Sequence, residues 1–266
     1  MQPLPSIPTT LFEATEQAKT AVQAAIQDGY NRIQVEMVIP ELKHQPIAQQ
    51  FLDIFGEQQF KVLFPDAGAA ALARRDWENP DFTIRGLGEL AEPVEPDDDA
   101  YLVVNPSAIE VAAVESLCNQ AGDRPVILLN PQLEDVAIVG IGYAARQLRE
   151  RFLSQIESCY YLRSLDAAAL YRCYPHPWQV WREIAPDQYE WMVDFPQRPS
   201  GEDIDRILYA ADHRSPASTD PSALDPKGQT GSQTGSQTGS QTDSQTGRRK
   251  KGLFAELQQF IRALTQ

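Results

Sequence analysis

The chain is poor in the residues from which metal centres and nucleophilic active sites are built. Its 266 residues include only three cysteines and three histidines. Cys118, Cys159 and Cys173 form no C-x-x-C pair, and His44, His176 and His213 are scattered, so neither a structural zinc site nor another metal centre is expected. Sparse, unpaired cysteines are expected to be reduced and buried. Positive charge is also scarce: 23 lysines and arginines face 37 acidic residues, for a formal net charge of −14. A body this acidic repels nucleic acid, which excludes general DNA or RNA binding. No apolar run approaches the ~20 residues needed to span a bilayer. The opening "MQPLPSIPTTLFEATEQ" has neither the basic nor the apolar region of a secretory signal, and its acidic residues do not suit a transit peptide. A cytoplasmic location is therefore expected. The sequence also lacks a G-x-S-x-G elbow, a G-x-x-x-x-G-K-[ST] loop and an H-E-x-x-H pair, and no cofactor is expected.

What is present is an apolar fraction of 42%, enough for a sizeable core, arranged in alternating patterns. Thr10 can cap a helix over 11–28, in which Ala14, Ala18, Val22, Ala25 and Ile26 recur at helical spacing before Gly29. "RIQVEMVIP" alternates as a strand in its first half. A short helix "PIAQQFLDIFG", the strand "FKVLFP", the helix "DAGAAALARRDW" opened by Asp66, and an edge strand "FTIRGL" follow. "YLVVNP" and "PVILLNP" read as strands on either side of a helix over 107–121. This alternation predicts an α/β fold, a mostly parallel open sheet flanked by helices. After Ile156, "SCYYLRSL", "ALYRCYP", "WQVWREI" and "YEWMVDF" predict a C-terminal antiparallel meander whose aromatic residues serve packing. Ser200 can cap a last helix over 202–211. The expected domain is therefore 1–212. The acidic run Asp97-Asp98-Asp99 reads as part of a solvated loop.

The strands end in Ile39-Pro40, Phe64-Pro65, Asn105-Pro106 and Asn130-Pro131. Proline cannot donate to a ladder and biases the residue before it away from the helical region, so each pair ends a strand. In open α/β sheets ligands bind at the carboxyl ends of strands. A small-molecule ligand of unknown identity is accordingly expected near Asp66, Gly68, Asn105, Ser107 and Asn130, where helix N-termini present free N–H groups. Gly140, Gly142 and Ala145 match the spacing of a dinucleotide-binding turn, but the turn follows four candidate strands instead of opening the sheet. A glycine turn serving close packing is the preferred reading.

From residue 213 to 247 the composition shifts to Pro, Ser, Thr, Gly, Gln and Asp, with a repeated "QTGS". Such a segment cannot bury enough apolar surface to offset its chain entropy, and is expected to be a disordered linker with a reach of roughly 30 Å. The last segment, 248–266, begins with Arg248, Arg249, Lys250 and Lys251. Leu253, Phe254, Leu257, Phe260, Ile261 and Leu264 fall within an arc of about 120° on a helical wheel. This basic amphipathic helix has three expected partners: the acidic body itself, an anionic membrane, or a groove on another protein. Its basic cluster sits at the helix N-terminus, where the macrodipole disfavours it, so an external anionic surface explains it better.

"GYNRIQVEMVIPELK", "KVLFPDAGAAALARRDW", "VVNPSAIEVAAVESLCNQAGDRPVILLNPQLEDVAIVGIGYAARQLRERFL", "CYYLRSL" and "LYRCYPHPWQVWRE" closely resemble a domain-of-unknown-function family of cyanobacteria and chloroplasts. Its plant members include the Low photosystem II accumulation assembly factors, and a similar domain is attached to a chloroplast adenylate kinase. The resemblance runs from about Leu11 to Ile207 and carries no established catalytic motif. It implies a cyanobacterial protein near thylakoid or photosystem biogenesis. The expected function is a non-enzymatic accessory factor on the cytoplasmic face of the thylakoid, reaching the membrane or a photosystem-related protein through its tail. The alternative is a nucleotide- or phosphate-ligand enzyme that uses the strand carboxyl-end loops.

Overall fold

A computed structural model describes residues 6–89, 94–134, 143–186 and 188–212. The dinucleotide-like glycines Gly140 and Gly142, the linker and the basic tail lie outside the described residues. Helix α1 (Leu11–Gln27) starts where Thr10 Oγ1 accepts the Glu13 N–H at 3.1 Å. It ends where Gly29, at φ +92°, lets its own N–H reach Ile26 O and the Tyr30 N–H reach Ala25 O, each at 3.0 Å. Only a residue tolerant of positive φ closes a helix this way, which is why glycine stands there. Its inward face of Ala14, Ala18, Ala21, Val22 and Ala25 is fully packed.

The strands are β1 (Arg32–Val38), β2 (Phe60–Phe64), β3 (Thr83–Gly86), β4 (Ala100–Val104), β5 (Val126–Leu129), β6 (Glu157–Leu165), β7 (Ala168–Cys173), β8 (Trp178–Ala185) and β9 (Gln188–Phe195). They form one sheet in the order β3-β2-β4-β5-β1-β6-β7-β8-β9. Every pairing from β3 to β6 is parallel, and β6 to β9 form an antiparallel meander that extends the sheet. The helices α2 (His44–Phe51), α3 (Ala67–Asp76), α4 (Val111–Ala121) and α5 (Tyr143–Arg151) supply the connections. A last helix, α6 (Gly201–Asp212), belongs to a separate compact unit that begins at Ser200, and Ser200 Oγ accepts its Asp203 N–H.

The two faces carry separate cores. One joins α1, α2 and α3 to Ile33, Val35, Val62, Leu102, Ile127 and Leu129. The other joins α4 and Leu148 of α5 to Leu63, Tyr101, Val103, Val126 and Leu128. Central strands are thus buried on both sides, as their continuous apolar runs require. Chains leaving β1 and β2 run toward β3 over the first face. Those leaving β4 and β5 run the other way over the second face, as right-handed crossovers demand. Neighbouring strands whose chains leave toward opposite faces open a crevice at their carboxyl ends. This happens twice, between β2 and β4 and between β5 and β1.

The amino end of the sheet is closed by ions. Lys61 Nζ lies 2.8 Å from Asp98 and 3.4 Å from Glu95, and the Tyr101 hydroxyl donates to Asp98 at 2.9 Å. Asp99 accepts the Gln59 N–H at 2.9 Å. The acidic run expected to be solvated is therefore partly an internal latch: Asp98 is buried beside Lys61, the second residue of β2, and its carboxylate compensates the buried ammonium. Removing one partner of such a pair strands the other charge. Lys61→Met is expected to cost about 3–5 kcal/mol in urea denaturation, and adding Asp98→Asn should recover most of that loss.

Candidate functional site

The crevice between β5 and β1 is an open cleft of 680 Å³, bounded by the ends of β1, β5 and β6 and the start of α2. It is built around Asn130, the residue after β5. Asn130 adopts φ +49°, a left-handed conformation that asparagine tolerates better than other side chains. Asn105, after β4, does the same at +49°. Both precede proline, which already disfavours the right-handed helical region. The turn aims the buried Asn130 amide back across the sheet end. Its Oδ1 accepts the Met37 N–H at 2.6 Å, and its Nδ2 meets His44 Nδ1 at 3.0 Å. Because Oδ1 is committed to an N–H donor, Nδ2 must donate to the ring. His44 Nδ1 then accepts, and the hydrogen sits on Nε2. Burial lowers the His44 pKa, which keeps the ring neutral.

Glu36 forms the wall between this cleft and a second one of 490 Å³, lined by Gln34, Gln132, Glu134 and Arg198. Its carboxylate accepts the Gln34 amide at 3.0 Å. Burial pushes its pKa up to about 7. Arg198 opposes the shift, and Glu134 adds to it. Arg198 is itself held, donating to the Tyr161 hydroxyl at 2.6 Å with its guanidinium 4.3 Å above that ring. On β6, Tyr161 pairs with Glu36, and the exposed Arg163 pairs with Val38. The site therefore combines a carboxyl that titrates near neutrality, a neutral imidazole of fixed tautomer and an arginine on the adjoining strand. A perturbed acid in a crevice of this kind suits binding or proton transfer.

Of the residues expected to hold a ligand, Asn130 lines this cleft. Asn105 and Ser107 stand beside it: Gln132, a cleft residue, reaches Asn105 Oδ1 at 3.4 Å and bridges to Ser107. The Ser107 N–H and hydroxyl both go to Glu110, at 2.8 and 2.6 Å. Asp66 and Gly68 are not in the cleft lining. Asp66 caps α3 through the Ala69 N–H at 2.9 Å, and a side chain on Gly68 would meet Asp66 Oδ1 at 3.0 Å. Ala145 is buried on α5.

Glu36, His44, Gln132, Arg163 and Arg198 were not legible as site residues. His44 reads as a loop residue and is instead the first residue of α2. For Glu36 a signal existed. β1 alternates Gln34, Glu36 and Val38 with buried residues, yet it lies deep inside the sheet, where parallel strands are normally apolar on both faces.

The family model for a domain of unknown function, DUF1995, matches residues 8–206. The chain belongs to the DUF1995 family. No solved structure matches it. The DUF1995 region begins ahead of α1 and takes in β1 to β9, so every cleft residue named above lies inside it. Among the described residues, no helix is long and apolar enough to cross a membrane.

The raised Glu36 pKa has a stability consequence. The folded protein retains a proton there that the unfolded chain releases near pH 4.3. Stability from this group is complete below that pH and is lost as pH rises through about 7. Glu36→Gln should therefore match the parent at pH 4 and exceed it by about 1–3 kcal/mol at pH 8. Guanidinium denaturation of both proteins across this range checks the difference.

Proposed function

We propose that this chain is a non-enzymatic accessory factor that works at the thylakoid membrane surface in the assembly or maintenance of a photosystem. Its body serves as a binding domain, and its basic tail is the attachment. The observation that carries the binding role is the cleft between β5 and β1, whose Asn130 amide holds both Met37 and His44 in place. Such a frame is suited to presenting fixed groups to a ligand. The thylakoid and photosystem role draws on the resemblance to the Low photosystem II accumulation factors. The membrane role draws on Arg248, Arg249, Lys250 and Lys251 followed by an apolar stripe, two signals that reinforce each other.

The competing reading is an enzyme acting on a nucleotide or phosphate ligand at the strand ends. In its favour is the position of the cleft at a topological crevice. Against it stand carboxylates at two of the strand-end loops: Asp66 caps α3 through the Ala69 N–H, and Glu110 sits before α4 on the Ser107 N–H. These groups fill the places where a phosphate would take N–H donors, and they repel it.

Attachment is tested with vesicles. The full chain should sediment with vesicles containing anionic lipid, release as salt rises, and bind neutral vesicles poorly. Replacing Arg248, Arg249, Lys250 and Lys251 by glutamine should leave it in the supernatant. Equal sedimentation of parent and variant would contradict membrane attachment through this cluster.

A further inference from the structure

Three features of the cleft are complementary to one kind of molecule. The first is charge. Glu36 and Arg163 stand on adjacent strands, two register positions apart, because Arg163 pairs with Val38 and Tyr161 with Glu36. Side chains related in this way lie on a diagonal of ~7–8 Å between their Cα atoms. Both line the cleft, so a negative and a positive group face one space from neighbouring strands. The second is the His44 Nε2–H. With Nδ1 occupied by Asn130, this donor cannot move to the other nitrogen. The third is apolar wall. Val38 is 42% exposed where it stands between the two charges, and Leu42 and Pro131 continue the surface. An exposed valine flanked by opposite charges is a poor solvent surface but a suitable seat for an aliphatic group.

We propose that the cleft binds a small zwitterion of the amino-acid class, with its ammonium on Glu36, its carboxylate between Arg163 and the His44 Nε2–H, and an apolar side chain on Val38, Leu42 and Pro131. The proposal rests on the binding role argued above and gives it a ligand class. Charge-assisted hydrogen bonds to both ends make each end a requirement. An inorganic phosphate or simple anion would satisfy Arg163 and His44 but leave Glu36 facing like charge. A simple cation would do the reverse.

The groups that face Glu36 decide how binding responds to pH. They are Gln34 from its own strand, Tyr161 and Arg163 from β6, Glu134 beyond β5, Arg198 from the segment after β9, and His44 and Glu41 from the β1–α2 connection. The ammonium requires an ionised Glu36. Affinity should therefore rise between pH 6 and 8 and then level off, because the free carboxyl titrates near 7.

The test is isothermal titration of the full chain with L-leucine, L-valine, L-methionine and L-phenylalanine. Each is paired with its N-acetyl derivative and its amide, and acetate, inorganic phosphate and AMP are run beside them. At least one free amino acid should bind, and removing either charge should weaken it about 10-fold or more. Glu36→Gln should abolish the preference for the free amine over the N-acetyl form, and should flatten the pH dependence. Binding of acetate, phosphate or AMP in the absence of amino-acid binding would overturn the zwitterion assignment and leave the ligand-binding role standing. Silence across the whole panel would overturn both.

Discussion

One side-chain amide holds the carboxyl end of the sheet together. Asn130 leaves β5 in a left-handed turn and reaches across to β1, accepting the Met37 N–H at 2.6 Å, and on to the first residue of α2, where it donates to His44. Its own N–H continues the ladder to Val35 O at 2.7 Å. One residue thus ties β5, β1 and α2 at the point where the chain directions diverge. Without this tie the crevice would expose an unpaired Met37 N–H and leave the His44 ring free to choose its tautomer. A buried donor left unmade costs more than a typical hydrogen bond contributes.

The topology explains why the crevice is also the place for unusual side chains. β1 and β5 are neighbours whose chains leave toward opposite faces, so no connection closes over their shared end. β6 is parallel to β1 and carries Tyr161 and Arg163 on the face where β1 carries Glu36. At the opposite end of the sheet, Lys61 and Asp98 are a buried pair that satisfies itself. The two ends therefore treat charge differently. The amino end neutralises its ions within the fold. At the carboxyl end Glu36 is desolvated, and Glu134 pushes its pKa further up.

The sheet and its order of helices and strands were largely readable from the chain. Continuous apolar runs such as Val126–Leu129 and aromatic alternation after Ile156 are direct consequences of burial on two faces and of antiparallel pairing. The Asn-Pro strand ends marked the carboxyl edge of the sheet, and Asn130 lines the cleft there. The rest was hidden because it depends on strand order, which local patterning does not encode. Glu36 looks like a solvated strand position until β1 is found between β5 and β6. Arg163 becomes a cleft residue only through its pairing with Val38. Asp98 sits in an acidic, proline-rich run, and only the approach of Lys61 from β2 reveals it as buried.

The tautomer of His44 reports most directly on whether the cleft is framed as described. Long-range proton–nitrogen NMR of the ring, with His44→Gln to assign the signal, distinguishes its two neutral forms and follows its titration. The account predicts a neutral ring at pH 7 that carries its hydrogen on Nε2 and gains a proton only below the usual histidine pKa, with Asn130→Ala mixing the tautomers. A hydrogen on Nδ1, or titration at or above the ordinary value, would contradict the Asn130–His44 frame and the binding role built on it.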